Sequence, residues 1–108
     1  MKLAIIGSRS ITDPNIEEYL PDGVTEIVSG GAKGIDEAAA RYARQNGIKL
    51  TEFLPDYERY GRAAPIVRNK LIAEYADECL AFWDSWSHGT KYTIECFRKL
   101  NKPVEVIV

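Results

Sequence analysis

The residues best suited to chemistry fall into four short stretches: "GSRS" at Gly7–Ser10, "SGGAKG" at Ser29–Gly34, "LPDYERYGRAAP" at Leu54–Pro65 and "DSWSHGTK" at Asp84–Lys91. Each stands directly behind an apolar run, and glycine, hydroxyl and basic side chains concentrate in them. Glycine lets backbone amides come close to an anion, while arginine and lysine supply the compensating charge. The second stretch matches neither standard phosphate-binding spacing, G-x-x-x-x-G-K-[ST] or G-x-G-x-x-G. Asp36 falls in the first turn of the helical pattern that follows, where it complements the helix dipole and competes with a phosphate. Ser29, Gly30, Gly31 and Gly34 therefore read as a sharp turn that meets a ribose or a base edge, with Lys33 beside it.

Two arginines point to the same place. Val67, Leu71, Ile72 and Tyr75 cover an arc of about 140° when each residue advances about 100°, and Arg68 lies inside that arc. A guanidinium facing the core near a helix start requires an anion, several carbonyls or a structural carboxylate such as Asp36 or Asp84. Asn69 beside it fits either a ligand contact or a surface position. Arg9 is the second cation, flanked by Gly7 and Ser8. Farther on, Thr90, Thr93, Ile94, Phe97 and Leu100 form one helical stripe. Its hydroxyl end, with Ser87 and Gly89, suits an anion held by free helix N–H groups, and Ser87 or Thr90 suits an N-cap. His88 is the one histidine and has no partner at metal spacing, so neither a metal nor a cofactor is expected. Tyr57, Tyr60, Trp83 and Trp86 flank these loops, either as packing or as a platform for a base.

The elements that must position these residues alternate. Leu3–Ile6, Glu26–Val28, Lys49–Phe53, Leu80–Trp83 and Val104–Val108 read as strands of a parallel sheet, nearly continuous in apolar character. Between them, a first helix starts at Asp13-Pro14 and ends at Pro21–Gly23; a second carries Ile35, Ala38, Ala39, Tyr42 and Ala43 and stops at Gly47. A third runs from Ala64 to Ala76 and a fourth from Gly89 to Leu100. Strict alternation implies right-handed crossovers with helices on both faces, and ligands then bind beyond the carboxyl ends of the strands. All four chemical stretches lie there, whereas "PDGVT" and "QNGI" at the other end are plain turns.

The totals narrow the function classes. At 108 residues the chain reads as one domain, 1–108, able to bury about two-thirds of its unfolded surface. A net charge of −2 supplies no global field for nucleic acid, and no segment approaches membrane-spanning or signal-peptide form. Cys79 and Cys96 read as reduced thiols of a cytoplasmic protein.

Taken together, "GSR", "SGGAKGIDEAAARYA", "YGRAAPIVRNKLIAEYAD" and "FWDSWSHGTKYTIE" resemble the SLOG superfamily of Rossmann-like nucleotide-binding proteins, above all its small single-domain members. The resemblance spans most of the chain. It implies a three-layer α/β/α fold, a five-stranded parallel sheet in the order 3-2-1-4-5, and a nucleotide or nucleotide-derived ligand at the switch point. Homodimers occur among such relatives. DNA processing protein A, which binds single-stranded DNA, has a turn similar to Ala32–Asp36 and an Arg-Asn pair similar to Arg68-Asn69. The "lonely guy" phosphoribohydrolases release a base from a nucleoside monophosphate, with an arginine resembling Arg68 and a Gly-Gly-x-Gly-Thr-x-x-Glu motif resembling His88–Thr90 onward. Here Thr93 stands where that motif has its glutamate, and Ser87 where it has a glycine of its pair. Glu95 comes two residues late, about 200° around the helix, and is expected to face solvent. Asp84 is the remaining candidate for acid–base work, and the catalytic residues of any reaction stay unassigned.

Overall fold

The computed structural model describes residues 1–11, 14–31 and 34–108. Five parallel strands, β1 (Lys2–Gly7), β2 (Glu26–Ser29), β3 (Lys49–Glu52), β4 (Glu78–Phe82) and β5 (Val104–Ile107), form one sheet in the order β3-β2-β1-β4-β5. The register sets Leu3 beside Ile27 and Glu78, and Ile5 beside Leu80. Side chains alternate between the two faces of a strand. Leu3, Ile5, Ile27, Leu80 and Phe82 accordingly pack under α1 (Ile35–Gln45), against Ile35, Ala38, Ala39 and Ala43. Ala4, Ile6, Val28, Cys79 and Ala81 face α3 (Ala64–Tyr75) and α4 (His88–Lys99), against Ile72, Ala73, Ala76, Ile94 and Phe97. The result is three layers, α/β/α, with a core on each side of the sheet. Among the described residues, no helix is long and apolar enough to cross a membrane.

Three expectations need correction. The helix expected to start at Asp13-Pro14 is a single 3-10 turn over Ile16–Glu18; Asp13 itself lies outside the described residues. Pro21 disfavours helical backbone at Leu20, so the segment is too short to repay helix nucleation. Ile16 still plugs the core on the α1 side, and Tyr19 meets Phe82 edge-on at 5.8 Å. The loop at Leu54–Pro65 contains one helical turn, α2 (Tyr57–Tyr60), with Asp56 accepting a hydrogen bond from Arg59 N–H. Finally, Leu71 and Leu100 are exposed rather than buried. On α3 the buried row is Ala64, Ile72, Ala73 and Ala76, which lets the helix sit close to the sheet and to α4. Arg68 lies four residues from both Ala64 and Ile72, so its inward orientation survives the change of phase.

A polar cluster marks the amino edge, opposite the loops of interest. The buried Glu26 accepts hydrogen bonds from Tyr75 Oη at 2.6 Å and Thr51 Oγ1 at 2.7 Å, and it pairs with Lys49 at 3.5 Å. These contacts hold its carboxyl below the ordinary carboxylate range, led by the Tyr75 hydrogen bond.

Candidate functional site

At the carboxyl edge, beyond β1 and β4, α3 and α4 diverge and leave a cleft of about 340 Å³. Gly7 and Arg9 wall it from the β1 loop, Gly30 from the β2 loop, and Asp36 from the first turn of α1. Arg68 and Asn69 enter from α3, and Asp84, Ser87, Gly89 and Thr90 from the loop and first turn leading into α4. Parallel strands place all these loops at one edge, which is how residues 80 positions apart come to share a cavity.

Arg68 is half-buried. Its Nη1 donates to Gly30 O at 2.7 Å and its Nε donates to Asn69 Oδ1 at 2.8 Å. Both acceptors are uncharged, and among the described residues Arg68 forms no ion pair. Burial pulls its pKa down, Asp36 and Tyr57 oppose that electrostatically, and Arg9 adds a smaller repulsion. Gly30 explains the close approach. A Cβ there would lie 2.6 Å from Arg68 Nη1 and 2.9 Å from Cζ, so any larger residue displaces the guanidinium.

Asp84 has a different role. Its Oδ1 accepts from the backbone N–H groups of Trp86 and Ser87, both at 2.8 Å, and its Oδ2 accepts from Ser10 Oγ at 2.7 Å. Its own N–H donates to Ser8 Oγ at 3.1 Å. Together these bonds fix the turn that carries Ser85 at a φ of 71° and aim α4 at the cleft. They lower the Asp84 carboxyl to about 2, the Ser10 hydrogen bond first, then those from Trp86 and Ser87. At neutral pH it is a carboxylate held by its own loop, with little tendency to take up a proton. Glu95 is exposed on the outer side of α4, as its helical phase requires.

The start of α4 is capped by Ser87, whose Oγ accepts from Thr90 N–H at 3.4 Å. Lys91 N–H donates to Ser87 O at 3.2 Å, which leaves the amides of His88 and Gly89 as the outward donors of this turn. A Cβ on Gly89 would meet only Asn69 Nδ2, at 3.8 Å. Neither packing nor a positive φ demands glycine at that position.

Other expected residues fall elsewhere. Ser8 is buried beneath the cleft as the acceptor for Asp84 N–H. Ser29 is buried, and its Oγ has no hydrogen-bond partner among the described residues. Gly34 precedes α1 at a φ of 80°, its Cβ position 3.1 Å from Ile11 O, which makes it a turn residue. Gly31 borders a neighbouring cavity, and Lys33 lies outside the described residues. Ser10 and Pro65 line the cleft without having been singled out for it, and Thr93 lines it with Thr90 at the hydroxyl end of the α4 stripe. Ser10 could have been noticed as the second serine of the β1 loop, whereas Pro65 reads as a helix start. Among the described residues no cluster of histidine, cysteine and carboxylate could hold a metal ion.

A parallel 3-2-1-4-5 sheet with its cleft at the β1/β4 edge defines a Rossmann-like α/β protein. The family model described as YAcAr, the YspA, cpYpsA-related SLOG family, matches residues 1–60. The chain belongs to that family, and so to the SLOG superfamily. The match takes in the β1 and β2 loops, α1 and α2; Arg68, Asp84 and α4 lie beyond it. Neither the curated proteins nor the solved structures compared with the chain contain a match.

Proposed function

We propose that this chain binds a nucleotide or nucleotide-derived ligand in the cleft at the carboxyl edge, with a phosphate between Arg68 and the first turn of α4. Family membership supports a nucleotide-related role in general. The observation that carries the specific reading is Arg68: a half-buried cation whose hydrogen bonds among the described residues go to neutral acceptors, in a cleft it shares with Gly89 at the start of α4. Arg9 reinforces the charge. Gly7, Gly30, Asn69, Ser87 and Thr90 supply backbone and polar contacts, while Asp84 holds the loop in place.

Base hydrolysis is the less favoured reading, because Asp84 is consumed by the loop and Glu95 faces away. Nucleic acid is disfavoured by the net charge of −2. The reading includes one domain over 1–108 acting in the cytoplasm, with exposed Ile66 and Leu71 on α3 as apolar surface for a homodimer.

Thermal unfolding in the presence of AMP or GMP, compared with adenosine or guanosine, tests the phosphate. Binding worth about 1–3 kcal/mol raises Tm by several degrees. Equal shifts for nucleotide and nucleoside would defeat the assignment.

A further inference from the structure

A second cavity, of about 390 Å³, adjoins the cleft. Arg9, Gly30, Pro65 and Arg68 line both and form the boundary between them. The second cavity adds Gly31, Pro55 and Tyr57. Its walls are therefore an aromatic ring, two prolines and bare backbone, and its shared boundary carries the two guanidinium groups.

Four aromatic residues flank the site loops, and three have other positions. Trp83 Nε1 donates to Ser87 O at 3.0 Å and packs behind the α4 turn. Tyr60 lies under the guanidinium of Arg59, 5.3 Å from the ring centroid. Trp86 is 84% exposed and lines neither cavity. Tyr57 is 59% exposed, contributes nothing to either core, and stands in the wall of the cavity that Arg68 also lines. A large ring left exposed beside a cation, flanked by rigid proline rings, is the surface on which a planar heterocycle stacks.

We infer that this second cavity is the nucleobase subsite: the base stacks on Tyr57 between Pro55 and Pro65, and the ribose crosses Gly30 and Arg68 toward the phosphate position at α4. The inference rests on the nucleotide reading above and extends it from the phosphate to the base. A 5′-nucleotide carries base and phosphate on either side of one sugar, and the two cavities adjoin across one shared boundary. Gly31 serves the same geometry. It has a φ of 70°, and a side chain there would run into Leu54 and, at 3.3 Å, into Glu52 Oε2.

The experiment titrates wild type, Tyr57→Ala and Tyr57→Phe with AMP, GMP, CMP, UMP and ribose 5-phosphate by calorimetry. Tyr57 is exposed, so the variants keep the fold. Tyr57→Ala is expected to weaken the preferred nucleotide about 5- to 150-fold, the worth of one base–aromatic stack, and to leave ribose 5-phosphate unchanged. Tyr57→Phe is expected to keep nucleotide affinity within about 3-fold, since the ring face remains. If Tyr57→Ala leaves nucleotide binding intact, or weakens ribose 5-phosphate equally, the base subsite is overturned while the phosphate assignment stands. If no nucleotide binds the wild type, both readings are overturned.

Discussion

Replacing Arg68 by Met separates a ligand-binding cation from a structural one. Met preserves the stem that packs along α3 and removes the charge and the donors. On the stability side, Gly30 O is buried and loses its 2.7 Å partner, a penalty of about 1–3 kcal/mol for an unsatisfied acceptor. Against that, the unfavourable desolvation that lowers the Arg68 pKa disappears along with the Arg9 repulsion. The two terms oppose each other, so the unliganded protein should lose no more than about 1–2 kcal/mol. A structural ion pair would behave differently, since removing one partner strands the other and costs about 3–5 kcal/mol. Asp84 is not that partner, being held by Ser10, Trp86 and Ser87. On the binding side, loss of a charge-assisted contact with phosphate is worth about 1.5–3 kcal/mol, or about 10- to 150-fold in Kd. Urea unfolding with and without nucleotide reads both quantities. A variant that unfolds at far lower urea yet binds nucleotide with unchanged Kd would refute the reasoning.

Three other perturbations probe the site. Gly89→Ala removes a helical glycine where a methyl group meets only Asn69 Nδ2 at 3.8 Å. The unliganded protein should gain up to about 1 kcal/mol while nucleotide affinity falls; a gain in both would show that no ligand approaches this turn. The Asp84 carboxyl sits at about 2, below its ordinary 3.8, so its stabilising effect is intact above pH 4 and is lost as pH falls through 2. Tm followed from pH 6 to pH 2 should fall more gently in Asp84→Asn than in wild type, and parallel curves would contradict the hydrogen-bond account. Glu95→Gln should change stability by less than about 0.5 kcal/mol and leave nucleotide binding unaltered, because the side chain is exposed on the far side of α4; release of free base by wild type and its loss in this variant would reverse the binding reading.

Periodicity conveyed the sheet better than the surfaces of the helices. The parallel sheet with helices on both faces followed from βα alternation, since parallel strands need crossovers and crossovers have one hand, whereas its order came with the family resemblance. The phase of α3 was legible at Arg68 and misleading at Leu71. Hydrophobicity ranks leucine above alanine, yet Ala73 and Ala76 join Ile72 against the sheet while Leu71 is exposed, because small side chains allow a close approach. Asp13-Pro14 carried a helix-start signal without enough chain before Pro21 to complete a helix. Within the site, the residues on loop tips and first turns (Arg9, Gly30, Asn69, Ser87, Gly89, Thr90) could be placed from topology alone. What Asp84 does could not. Its bonds to Ser10 and Ser8 cross about 75 positions, and one-dimensional spacing contains no record of them. Tyr57 was visible as an aromatic near the site, but choosing it over Tyr60, Trp83 and Trp86 required knowing which of the four walls a cavity.

The binding reading depends finally on how the charged groups of the cleft are occupied. Two guanidinium groups and two carboxylates, Arg9, Arg68, Asp36 and Asp84, line one cavity. Asp84 accepts three hydrogen bonds from its own loop and from Ser10, and its low pKa shows the charge already stabilised by the protein. Asp36 acts on Arg68 through its field. Arg68, by contrast, engages two of its five N–H donors with neutral oxygens, leaving the fork directed into the cleft in a fixed orientation set by Asn69 and by the absence of a side chain on Gly30. General acid–base work by a carboxyl group needs one that can gain and lose a proton near the working pH. An anion receptor needs a cation held in place with donors to spare, near the free N–H groups of a helix start. The proposed phosphate position sets Arg68 and the first turn of α4 in the receptor's role, while the hydrogen bonds that keep Asp84 ionised suit it to holding its loop.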